Sequence, residues 1–125
     1  MRIFKTRRFS KWAEKNEIDD PTLLETACEV KAGQYETHYG QGVIKKRVSN
    51  KNRGKSKSTR TIIAFKKGKD CFFIYGFEKS EKANLSDSEE KALKLLANDL
   101  FAASSEKLEG WILNEALIEV CHEKK

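Results

Sequence analysis

Between Val43 and Lys69 the chain carries eleven lysines and arginines and not one aspartate or glutamate. Like charge at that density repels itself and weakens folding, so an anionic partner is expected against this region. Other chemistry is thinly supplied. Cys28, Cys71 and Cys121 are odd in number and far apart, and match neither a disulfide framework nor a metal-ligand spacing. They read as reduced core cysteines of a cytoplasmic protein. The two histidines, His38 and His122, fall in different regions, which argues against a paired-histidine nuclease site. No Cys/His cluster supports zinc, and no metal or other cofactor is expected. The N-terminus, MRIFKTRRF, is charged almost at once and lacks an apolar h-region, so no secretory signal is expected. No run approaches the roughly 20 apolar residues of a membrane span, so no membrane partner is expected.

What is present suits a single domain over residues 1–125, long enough for a real core. Aromatic residues make up 10%, which argues against disorder. Charge is unevenly spread. Residues 1–42 hold seven basic and seven acidic groups, and residues 43–77 hold eleven basic groups against Asp70 alone. Residues 78–125 hold seven basic groups against eleven acidic ones. Positive potential is thus concentrated in the middle third, where nucleic acid would be held.

Periodicity then orders the chain. Arg2–Phe4 suits a short strand, and Phe9, Trp12 and Ala13 put residues 6–16 on an amphipathic helix. Asp20 and Pro21 mark the start of a second helix, with Leu23, Leu24, Ala27 and Cys28 as its apolar face and Gly33 as its stop. Gly40–Gly42 is a turn. Val43–Val48, Thr59–Phe65 and Cys71–Phe77 form a meander, the last apolar on both faces and therefore central. Ser49–Ser58 is a polar loop, and Lys66–Asp70 is a tight connection around Gly68. Ser86–Glu89 fits a capping box before Leu93, Leu96, Ala97 and Leu100. A shorter helix over 105–113 and a last strand over 116–121 complete an α+β layout. Its N-terminal helices pack on a twisted antiparallel meander, C-terminal helices follow, and all helices are expected on one face of the sheet.

Strand alternation places Lys45 and Arg47 on one face of the first meander strand and Lys46 on the other. In an antiparallel meander, Arg60 at the start of the second strand lies near Arg47 and near the end of the third. There Tyr75, Phe77 and, just beyond, Lys79 are found. The loop adds Lys51, Arg53, Lys55 and Lys57 at the same end. One end of the sheet is therefore expected to be a basic, partly aromatic basin.

Taken together, Ile44–Ser49 (IKKRVS), the basic loop, Ser58–Phe65 (STRTIIAF) and Phe72–Glu89 (FFIYGFEKSEKANLSDSE) resemble the RelE/HigB group of bacterial type II toxins, most closely the HigB-like branch. The resemblance spans most of the chain in element order. It implies a RelE-like fold and a toxin that enters the ribosomal A site and cuts mRNA. It also implies an antitoxin encoded alongside, often with a helix-turn-helix. Lys45, Arg47, Arg60 and Lys79 match the family's basic site residues, with Lys82 a neighbour. Leu85 occupies roughly the place of a family tyrosine, and Tyr75 is the nearest substitute. Lys46 and the loop cations Lys51, Arg53, Lys55 and Lys57 would hold RNA.

The chemistry so implied is metal-free attack by the RNA 2′-OH on the adjacent phosphate, leaving a 2′,3′-cyclic phosphate and a 5′-OH. Guanidinium groups suit the phosphorane oxygens. A lysine among other cations suits the 2′-OH proton, with Lys45 or Lys79 the candidate. Two rival readings use the same scaffold: an RNA- or ribosome-binding module that cuts nothing, and a ParE-like poison of DNA gyrase.

Overall fold

The computed structural model describes residues 1–49 and 58–120, without the side chains of Ser49 and Ser58. Lys51, Arg53, Lys55 and Lys57, expected to form a basic loop, and the C-terminal Cys121 and His122, lie outside the described residues. The fold is α+β. In chain order it runs β1 (Ile3–Thr6), α1 (Arg7–Lys15), α2 (Asp20–Lys31), β2 (Thr37–Gly40), β3 (Val43–Ser49), β4 (Ser58–Phe65), β5 (Cys71–Glu78), α3 (Asp87–Ala102), α4 (Ser105–Leu113) and β6 (Leu117–Glu119). Among the described residues the strands form one mixed sheet in the order β2-β3-β4-β5-β1-β6. The β3–β4–β5 meander is antiparallel, and β5 is central as its two apolar faces require. Its other neighbour, β1, runs parallel to it.

Local chemistry sets the helix ends. The Thr6 hydroxyl accepts from Phe9 N at 3.1 Å and opens α1 directly out of β1. At α2 the cap is Asp19 rather than Asp20. Asp19 Oδ1 accepts from Thr22 N at 3.0 Å and from Thr22 Oγ1 at 2.6 Å. Asp20 instead receives the Lys5 ammonium at 3.0 Å. Gly33, at φ +89°, ends α2, with Gly33 N donating to Val30 O at 2.9 Å and Gln34 N to Glu29 O at 2.9 Å. The Ser86/Glu89 capping box is present in full at α3.

Two expectations are corrected. The helices do not share one face. Phe9, Leu23 and Val30 of α1 and α2 pack with Ile44, Ile63 and Phe73 on one side of the sheet. Ala97 and Leu100 of α3, with Leu108 of α4, pack with Val43, Ile62 and Phe72 on the other. A sheet whose central strands are apolar on both faces must be covered on both. Secondly, Cys28 is exposed, because the buried stripe of α2 runs through Leu23, Ala27 and Val30 and turns position 28 outward. Cys71 is buried, and desolvation pushes its thiol up to about 12.

Regular alternation breaks once, in β5. Ile63 faces Phe73 across the ladder but Ile62 faces Tyr75, so Ile74 is an extra residue. Without this bulge Tyr75 and Phe77 would share the α1 side with Phe73. With it they join Ile62 on the α3 side, and Phe77 is buried there.

Candidate nucleic-acid interface

Residues opposite one another across a ladder share a face. Lys45 lies opposite Ile62 and Arg47 directly opposite Arg60. Arg60 in turn lies opposite Phe77, and Ile62 opposite Tyr75. Lys45, Arg47, Arg60, Tyr75 and Phe77 therefore stand on the α3 side, at the end of the sheet where β3 finishes, β4 begins and β5 finishes. The segment from β5 to α3 closes over this end. It brings the Lys82 ammonium 5.3 Å from the Tyr75 ring centre and 5.4 Å from that of Phe77. Lys79 stands exposed on the turn just beyond β5. Lys46 goes to the opposite face, where its ammonium meets Glu29 of α2 at 2.9 Å, so it is not part of this group.

The cations differ in what holds them. Lys45 is only 8% exposed, and its ammonium donates to Asn84 Oδ1 at 2.6 Å and Ala83 O at 3.1 Å. It thereby ties the segment after β5 to the sheet. Tyr39 OH also donates to Asn84 Oδ1, at 3.3 Å, and burial raises its phenol. Arg47 is exposed. Arg60 Nε lies 3.5 Å from Glu36 Oε1.

Glu89 organises the aromatic side. Its Oε1 accepts from Ser86 N at 2.9 Å as part of the capping box. Its Oε2 accepts from Tyr75 OH at 2.9 Å and is in close contact with the Lys82 ammonium. Lys82 Nζ lies 3.2 Å from Tyr75 OH. The Lys82 hydrogen bond, reinforced by Ser86 N–H and the Tyr75 hydroxyl, lowers the Glu89 carboxyl to about 2. The same carboxylate raises Lys82.

Asn84, Glu36 and the second role of Glu89 escape a reading of the sequence. The capping-box spacing marks Glu89 as a helix-start residue and nothing more. Neither Glu36 nor Asn84 carries a local signal. Leu85, at the approximate place of the family tyrosine, is buried in the core beneath α3.

A cavity of about 900 Å3 lies at the opposite end of the sheet beside Gly42 and the Lys66–Asp70 connection. Its lysines are exposed, and among the described residues no arginine lines it. Among the described residues no three His, Cys, Asp or Glu side chains gather to hold a metal ion, and no helix is long and apolar enough to cross a membrane. No curated protein shows a significant match to this sequence. A family model described as the RelE toxin of the RelE/RelB toxin-antitoxin system matches residues 1–120, and the chain therefore belongs to the RelE toxin family.

Proposed function

We propose that this chain is a ribosome-dependent mRNA endoribonuclease, inhibiting translation as the toxin of a toxin-antitoxin pair. The observation that carries the reading is the placement of Arg47 opposite Arg60 on one face of the sheet. Like charges directly opposite are destabilising across a ladder, so the pair is best accounted for by an anion that bridges it. Glu36 offsets part of the repulsion at Arg60 and would give way to a phosphate, whose oxygens match the guanidinium fork.

In the proposed reaction the 2′-oxygen forms a bond to phosphorus and the bond to the 5′-oxygen breaks. Arg47 and Arg60 stabilise the charge that builds on the phosphorane oxygens. Lys45 is a positioning residue, since its ammonium is committed to Ala83 O and Asn84 Oδ1. Lys79, entering the step as the neutral amine, is the candidate to take the 2′-OH proton. The Lys82 ammonium, which keeps one N–H after those given to Glu89 and Tyr75 OH, is the donor available to the departing 5′-oxygen, and the Tyr75 hydroxyl orients it. The ribosome orients the mRNA across the basin, and that alone supplies a large share of the rate.

Membership of the RelE toxin family implies an antitoxin partner. It would neutralise the chain by covering the basin or barring ribosome entry. The deciding experiment is to induce the chain in cells and map the 5′ ends of mRNA. The expected result is new 5′-OH ends that Arg60→Ala reduces by about 10²–10³-fold. Translation arrest with intact mRNA would establish the binding-module reading instead, and DNA damage without mRNA loss the gyrase reading.

A further inference from the structure

Strand β1 accompanies β5 only as far as the pairing of Lys5 with Phe73, after which the chain turns into α1. Beyond that point, among the described residues, no strand borders the outer edge of β5. A cavity of about 520 Å3 occupies the space, within the range of small-ligand sites. Arg8 and Trp12 of α1, Gly76 and Phe77 of β5, and Glu81 and Lys82 of the following turn line it. Tyr75 and Lys82 belong both to this cavity and to the basin, so the two are continuous around the β5 edge.

Trp12 is the wall of the cavity. Its six-membered ring is seated on the Gly76 backbone so closely that a Cβ there would come within 2.4 Å. Phe9 braces it, with ring centres 5.4 Å apart. Trp12 remains only half-buried. At the rim, Glu78 N donates 2.8 Å to Glu81 Oε1 and fixes a carboxylate there, an acceptor suited to an amino group on a base edge.

We propose that this cavity is a nucleobase slot. The base next to the phosphate held in the basin stacks on Trp12, and the strand crosses the β5 edge beside Lys82. The inference rests on reading the basin as an RNA site and adds the neighbouring base to it. An aromatic wall beside cations is how single-stranded RNA is held without a duplex, stacking gripping the base while charge grips the backbone.

Fluorescence tests this without altering the slot. Trp111, on α4, packs against the core on the far side of the sheet, so Trp111→Phe leaves Trp12 as the sole tryptophan. The probe is a short 2′-O-methyl oligoribonucleotide, which cannot be cut, compared with an abasic oligonucleotide of equal length. The expected result is tighter binding of the base-bearing probe and quenching of Trp12 by that probe alone. In the two-tryptophan protein, Trp12→Leu should weaken its binding about tenfold and Trp12→Phe much less. Equal affinity for the two probes, or equal quenching by both, overturns the slot. Cleavage of mRNA in cells without base-dependent quenching overturns the slot alone. Base-dependent quenching in a protein that cuts nothing overturns the nuclease reading and leaves the slot standing.

Discussion

Glu89 couples three parts of the molecule through one carboxylate: the start of α3, the Tyr75 hydroxyl and the Lys82 ammonium. Its carboxyl is lowered from the ordinary 4.5 to about 2, so what it adds to stability is complete above about pH 4.5 and is lost as pH falls toward 2. Glu89→Gln should therefore cost about 1 kcal/mol near neutrality, with half-exposed partners limiting the effect. The gap to the wild type should close on acidification from pH 4.5 to 2. Urea unfolding midpoints across that range would show it, and a gap independent of pH would refute the role given to the carboxylate. At this scale the sequence was partly legible. Alternation alone placed Lys45 and Arg47 together, since the side-chain period of a strand is two. The contact of Glu89 with Tyr75 was not legible, because the two lie on different elements and no spacing rule joins them.

In β5 one extra residue decides the chemistry. The bulge at Ile74 carries Tyr75 and Phe77 to the side of Arg60 and leaves Gly76 facing Trp12. Gly76→Ala must displace the Trp12 ring and should destabilise the fold by about 1–3 kcal/mol. Gly110 makes the opposite case. It lies inside α4 with no atom within 4 Å of where a Cβ would point. Gly110→Ala should stabilise the fold by about 0.5–1 kcal/mol, chiefly by restricting the unfolded chain and favouring helix. Denaturant midpoints of the two variants should move in opposite directions with unchanged slope. The strands, helices and capping box were readable because they rest on local periodicity and local hydrogen bonds. β2 was not, since Thr37–Gly40 is short and becomes a strand only by pairing with β3. Nothing in CFFIYGF announces a bulge, which depends on how β4 lies beside it.

Across the whole molecule, the charge asymmetry predicts that the proposed binding to RNA is strongly dependent on salt. The basin holds Arg47, Arg60 and Lys82, and four more cations, Lys51, Arg53, Lys55 and Lys57, lie in the chain between β3 and β4. Replacing those four with serine should lower the slope of log affinity against log salt by up to about 3, at about 0.7 per phosphate contact. Titration of a single-stranded RNA at several salt concentrations would measure it, and an unchanged slope would remove those four cations from the interface. The sequence by itself determined the α+β class, the order of most elements and the meander that carries Lys45, Arg47 and Arg60, because periodicity, caps and charge are properties of neighbours in the chain. Only the tertiary structure decided that helices cover both faces, that Lys46 departs to Glu29, and that the β5 bulge turns Tyr75 toward Arg60. The physical reason is that these depend on which surfaces are buried against which, and burial is settled between elements far apart in sequence.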